Sequence, residues 1–111
     1  MEIIYEDFRK VDIRVGTVVS LRNNEKARHP AQVLEVDFGR NIGIKTTSAK
    51  IIHYYNADNL VGKQIVAVCN FPTKNIAGIV SEVLILGAIE TGGKVVLVHP
   101  SQKVENGLEV Y

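Results

Sequence analysis

The chain has no tryptophan, one cysteine and three prolines, and its aromatic residues are three Phe and four Tyr among 111 residues. A single cysteine excludes an intrachain disulfide. Cys69 ends the apolar run Ile65-Val66-Ala67-Val68-Cys69, so it reads as a small buried hydrophobe suited to a reducing compartment. No apolar run approaches the ~18 residues of a membrane-spanning helix. The first residues, Met1-Glu2-Ile3-Ile4-Tyr5-Glu6-Asp7, are acidic and lack the basic and apolar regions of a secretory signal. The expected location is the cytoplasm.

Chemistry is equally scarce. His29, His53 and His99 lie in three separate stretches, with no Cys pair and no His-x-x-x-His, so no metal site is expected. The chain contains no G-x-S-x-G nucleophile motif, no G-x-G-x-x-G and no P-loop, and these absences argue against catalytic residues and against a cofactor. Ser48, His53 and Asp58 are triad residue types five positions apart. Five positions on a helix turn the side chain through about 500°, which points the three away from one another.

What is present is a soluble globular composition, 46% hydrophobic and 23% charged, of a length that makes one domain, 1–111. The net charge of +1 hides a pattern. Residues 1–7 carry three acids and no base, residues 8–80 carry 11 bases against five acids, and residues 82–111 carry two bases against four acids. The basic middle permits a polyanion-binding face, although a mixed solvated surface gives the same counts.

Ile13, Val15, Thr17, Val19 and Leu21 alternate with Arg14, Gly16, Val18, Ser20 and Arg22, and period two predicts a half-buried strand. Glu6 to Lys10 before it suits a short helical turn with Phe8 packed down. Residues 23–30 read as a loop. Leu34 to Phe38 and Ile42 to Thr46 flank Gly39-Arg40-Asn41 and predict a hairpin. A helix is expected over Ala49–Tyr55, capped by Thr47 or Ser48, with a further turn from Asp58 to Leu60 closed by Gly62. Strands are then predicted over Gln64–Asn70 and Ser81–Ala88, with Phe71–Asn75 a loop and Gly78 a turn. Three strands, a helix and two strands predict an all-β, five-stranded Greek-key barrel over residues 8–88. A split βαβ sandwich would need a second full helix, and none is found.

Lys94 to His99 is left over as a sixth strand, in the extension 89–111. Val95, Val96, Leu97 and Val98 offer apolar side chains to two faces, and the barrel can cover only one of them. An apolar strand without a partner invites association, so the tail is expected to form a two-fold dimer. The predicted interface is Phe8, Val95, Val96, Leu97 and Val98; a strand packed wholly on its own barrel is the alternative.

The remaining signal is a binding surface. Arg40, Lys45, Lys50, Lys63 and Lys74 face a single acid, Asp58, between Phe38 and Val80. In a barrel of this topology the loops between strands one and two, and four and five, border the ligand face. Single strands are held there by basic grooves with aromatic platforms, for which Phe38, Tyr54, Tyr55 and Phe71 are the candidates. Phe38 and Phe71 also suit the core or its rim.

Asp12-Ile13-Arg14-Val15-Gly16, Leu60-Val61-Gly62-Lys63-Gln64-Ile65, Gly78 and Ser81-Glu82 resemble the tRNA-binding domain found at the end of some methionyl-tRNA synthetases and in free-standing tRNA-binding proteins. Ala27-Arg28-His29-Pro30-Ala31, Ile42-Gly43-Ile44-Lys45 with Ser48-Ala49, Asn70-Phe71-Pro72, Ile76-Ala77-Gly78 and Ser81-Glu82-Val83-Leu84 resemble its CsaA-type, export-related chaperone branch. The resemblance spans nearly the whole chain. It implies an OB-fold homodimer, joined through the N-terminal turn and the C-terminal strand, that binds unfolded or export-bound polypeptides, with tRNA as a further ligand. Phe71, Pro72, Ile76 and Ile79 are then expected as apolar peptide contacts. Arg14, Lys45, Ser48, Lys50 and Lys74 are expected as a basic rim or RNA contacts. The Gly-Met pair common after Ser-Glu in tRNA-binding relatives is Val83-Leu84 here, and Lys74-Asn75 carries one charge where CsaA-type loops tend to carry two. A tRNA-binding module or synthetase accessory factor is the alternative function.

Overall fold

A computed structural model describes residues 1–111. A five-residue helix, α1 (Tyr5–Arg9), leads into β1 (Ile13–Asn23), β2 (Gln32–Asp37) and β3 (Ile44–Ala49). A four-residue helix, α2 (Ala57–Leu60), precedes β4 (Gln64–Val68). Short strands follow: β5 (Lys74–Ile76), β6 (Ile79–Ser81), β7 (Leu84–Ile85), β8 (Gly87–Ile89) and β9 (Val95–Leu97). The main sheet has the antiparallel order β3-β2-β1-β4-β7.

That sheet curls into a nearly closed barrel, the expected OB-fold. β1 makes the curl possible. Its first half pairs with β4 and its second with β2, and the register shifts between Val18 and Ser20. Such an irregularity bends a strand and increases its twist. Gly16 assists: a Cβ there would lie 2.7 Å from Val36 and 2.8 Å from Phe38, so only glycine lets these side chains close against β1. The seam is sealed where the Glu82 amide donates to the Thr46 carbonyl at 2.8 Å. Beside it the buried Thr47 hydroxyl donates to the Val83 carbonyl at 2.8 Å. The core gathers Val18, Leu34, Phe38, Ile65, Ala67 and Leu97 among others.

The helix between strands three and four is present, but it is later and shorter than Ala49–Tyr55. β3 runs on to Ala49, which pairs with Gln32. Thr47 and Ser48 are therefore strand residues and not helix caps. The isoleucines and tyrosines of this stretch are weak helix formers. Ile51 instead drops into the core, its amide donating to Gln32 Oε1 at 3.2 Å. The cap is Asn56, not Asp58: Asn56 Oδ1 accepts from the Asn59 amide at 3.0 Å, and Asn59 Oδ1 accepts from the Asn56 amide at 2.9 Å.

The predicted strand Ser81–Ala88 is divided among β6, β7 and β8, and part of the predicted loop Phe71–Asn75 enters β5. β8 and β9 form a hairpin in which Gly87 faces Leu97 and Ala88 faces Val96. A Cβ on Gly87 would lie 2.5 Å from Val95, so that crossing also requires glycine. The last residues fold back. The Gly107 amide donates to the Val15 carbonyl (2.7 Å), the Val15 amide to Leu108 (3.0 Å) and the Val110 amide to Ile13 (2.8 Å). Much of 89–111 is thus spent on its own barrel.

Candidate functional site

The β5–β6 hairpin turns through Ala77-Gly78, flanked by the paired Ile76 and Ile79. Both turn residues have positive φ, 49° and 84°, as a two-residue hairpin turn of the favoured hand requires. The hairpin stands beside the loop joining β1 to β2. Asn24 is buried there; its Oδ1 accepts from the Lys26 amide at 3.1 Å, and its Nδ2 donates to the Ala77 carbonyl at 3.5 Å. One polar side chain therefore ties together the two loops that border a ligand face in this fold.

Two adjoining hollows lie along this ridge. One, of about 520 Å³, is lined by Phe71, Pro72, Lys74, Ile76, Leu84 and Ser48, with Glu82 at its side. The other, of about 290 Å³, is lined by Arg28, His29, Lys50 and Ala77, and shares Ser48 and Ile76 with the first. Phe71 is 55% exposed and Leu84 is 51% exposed, far more apolar surface than these side chains leave open in a finished core. Arg28, Lys50 and Lys74 make no ion pair, so three uncompensated cations border the apolar floor. Lys45 lies alongside, but its ammonium is 3.6 Å from Glu82, which removes most of its net field from the groove.

Six of the nine residues expected to touch ligand thus converge: Phe71, Pro72, Ile76, Ser48, Lys50 and Lys74. Ile79 does not line the groove; it is half-buried as the cross-strand partner of Ile76. Arg14 is displaced altogether. Its Nε donates to Asp12 Oδ1 at 2.6 Å, its NH1 donates to the Gly107 carbonyl at 3.1 Å, and Glu109 lies 4.0 Å away. The Asp12 bond holds the guanidinium above its ordinary value. Arg14 fastens the tail to β1, and it lines a separate hollow with Arg40 and Asn41.

Leu84 and Arg28 belong to the groove and were missed. Reading 81–88 as one continuous strand hid the outward face of Leu84, and Arg28 lay in a loop with no periodicity to aim it. Among the residues expected at a dimer contact, Leu97 is corrected: at 6% exposure it belongs to its own core. Val95 is half-buried against that core and Phe8 is half-buried near Tyr5. Val96 and Val98 are 43% and 45% exposed.

No group of three or more His, Cys, Asp or Glu is placed to hold a metal ion. Burial, helped by the Asp12 carboxylate, pushes the Cys69 thiol up to about 11, so it stays protonated and a poor nucleophile near neutral pH. No helix is long and apolar enough to cross a membrane.

The family described as "Putative tRNA binding domain" matches residues 13–109. The crystal structure of chaperone CsaA from Bacillus anthracis superposes with a TM-score of 0.94 at 45% identity, over 100% of both chains. The CsaA chaperone protein from Picrophilus torridus superposes with a TM-score of 0.91 at 44% identity, over 99% of this chain and 100% of the other. The methionine–tRNA ligase of Bacteroides fragilis is 35% identical over 108 residues, which are 97% of this chain and 16% of the ligase. The chain therefore spans about a sixth of the length of such ligases.

Proposed function

This chain belongs to the tRNA-binding domain family, in its CsaA-type branch, and from that premise we propose that it is a homodimeric cytoplasmic chaperone that holds unfolded or export-bound polypeptides. The family is one of binding domains and not of catalysts, and the ligase match falls outside the ligase's catalytic part. The observation that carries the proposal is the groove itself, an apolar floor of Phe71, Pro72 and Leu84 bordered by Arg28, Lys50 and Lys74. Apolar pockets take alternate side chains of an extended chain, and the cations favour clients with acidic flanks and set their direction.

tRNA is the second ligand in this reading, favoured by the same three cations. The two ligands separate by salt. Three neutralised phosphates give RNA binding a log–log slope of about −2 to −3, whereas capture of an unfolded polypeptide by apolar contacts should change little. Fluorescence titrations with each ligand at two salt concentrations check this. Tight tRNA binding at physiological salt without any binding of unfolded polypeptide defeats the chaperone reading.

Support for the dimer comes from nonpolar surface that the monomer leaves open. Ile3, Ile4 and Tyr5 at one end of the chain and Tyr111 at the other are exposed. The Arg9 guanidinium lies 6.0 Å from the Tyr5 ring centre and 5.4 Å from that of Tyr111, which brings the two ends together. Ile89, Val96 and Val98 add exposed apolar side chains on the β8–β9 hairpin. Such surface on a small chain marks an interaction site. Sedimentation equilibrium should give twice the chain mass for the native protein. The doubly substituted Val96→Asp, Val98→Asp protein should sediment as a folded monomer. A native protein that stays monomeric at high concentration rules the dimer out.

A further inference from the structure

Another hollow lies apart from the groove. About 630 Å³ in volume, it opens where α2 and the start of β4 meet the returning segment 99–103. Its floor is apolar: Leu60, Ile65 and Leu97 are buried core residues, and the Tyr55 ring stands beside them half-buried. Its rim carries Lys63, Lys103 and His99, and not one of the 14 lining residues is acidic. Neither lysine makes an ion pair elsewhere. Two cations held over an apolar floor without a carboxylate leave a charge that an anion can neutralise.

The walls are fixed by bonds that cross the hollow's boundaries. Tyr55 Oη accepts from the Leu97 amide at 2.8 Å. Gln64 Nε2 donates to the Val104 carbonyl at 2.7 Å, and Gln64 Oε1 accepts from the Val104 amide at 3.0 Å. The His99 ring donates Nδ1–H to the Pro100 carbonyl at 2.9 Å, since a carbonyl can only accept. These clamps hold the hollow open without help from a ligand, and a preformed site spares the ligand the cost of ordering it. Gln102 on the rim has no hydrogen-bond partner of its own within the chain and remains available to one.

From this we infer that the hollow between α2 and residues 99–103 is a binding site for a small phosphate monoester with a flat apolar body, the chemistry of a nucleoside monophosphate. Two lysines act as point charges that suit a doubly charged phosphate, whereas a carboxylate is better matched by the planar fork of an arginine, and no arginine lines the hollow. The flat body packs beside the half-buried Tyr55 ring, with Leu60, Ile65 and Leu97 closing the hollow behind it. The site is separate from the groove, with which it shares no lining residue.

Isothermal titration of the native chain with AMP, adenosine, inorganic phosphate and benzoate tests this. AMP should bind, with adenosine, phosphate and benzoate each at least about tenfold weaker. Lys63→Gln and Lys103→Gln should each weaken AMP about tenfold, the loss of one charge-assisted bond, and the pair together more. Both side chains are exposed, so melting temperatures should stay within a degree or two of native. Phe71→Ala, which alters only the groove, should leave AMP binding unchanged, so this result stands apart from the fate of the chaperone reading. The inference is overturned if AMP fails to bind, if its affinity survives the double lysine substitution, or if adenosine or benzoate binds as well as AMP.

Discussion

Phe38→Ala is expected to lower the free energy of unfolding by about 3–5 kcal/mol, the cost of emptying an aromatic core position. A domain of this kind commonly has only about 5–15 kcal/mol in total. Phe38 is 1% exposed and sits where three parts of the fold converge. Its ring fills the space that Gly16 leaves open on β1. Its amide donates to the Gly43 carbonyl at 3.0 Å, which shapes the turn between β2 and β3. Its carbonyl oxygen lies too close to Gly107 to admit a Cβ there, so the returning tail is seated against it. Urea unfolding followed by circular dichroism should show the midpoint falling by about 2 M, given slopes of about 1–3 kcal/mol per molar. A loss below about 1 kcal/mol would mean that the ring is not the keystone its burial indicates.

Phe71→Ala is expected to do the reverse, leaving stability unchanged and weakening capture of an unfolded polypeptide roughly thirtyfold. The magnitude follows from about 2 kcal/mol for an aromatic side chain that becomes buried only when ligand arrives. Phe71 lies outside the core cluster and more than half of it is open to solvent, so little folded-state packing is lost. Binding of a permanently unfolded polypeptide, followed by anisotropy, measures the effect. An unchanged affinity would move the client site away from this groove.

The barrel was readable because its evidence is periodic. Ile13, Val15 and the residues that follow alternate as one half-buried strand must, and the Leu34–Phe38 and Ile42–Thr46 pair shows the same signature around glycine. The misplaced helix has a physical cause. Ile51 and Tyr55 share the spacing of a helical face, yet each reaches the core separately: Ile51 by a backbone bond to Gln32, Tyr55 by a hydroxyl bond to Leu97. Local spacing cannot distinguish those arrangements. The β5–β6 hairpin was hidden because its turn begins with Ala77, a residue that seldom adopts positive φ. Asn24, 53 residues away in sequence, supplies the tertiary contact that steadies it.

The groove was legible in part for a related reason. Lys74 could be placed from its loop between the fourth and fifth predicted strands, whereas Phe71 and Pro72 were expected as peptide contacts only through the family resemblance, since a lone aromatic beside a strand end suits the core rim equally well. Arg14 was misleading because a charge on a strand reads the same whether it faces ligand or a neighbouring acid. Only the fold brings Asp12, Gly107 and Glu109 around it.

The tail's return along β1 has one more consequence. Residues 107–110 take up the Val15 amide and the carbonyls of Ile13 and Val15, which neither β2 nor β4 reaches. They work as a selvedge on woven cloth: cut them away and the weave ends in loose threads, a bare strand margin on which the next molecule can stitch itself. Protease nicking near Lys103 would therefore threaten solubility long before it threatened the barrel.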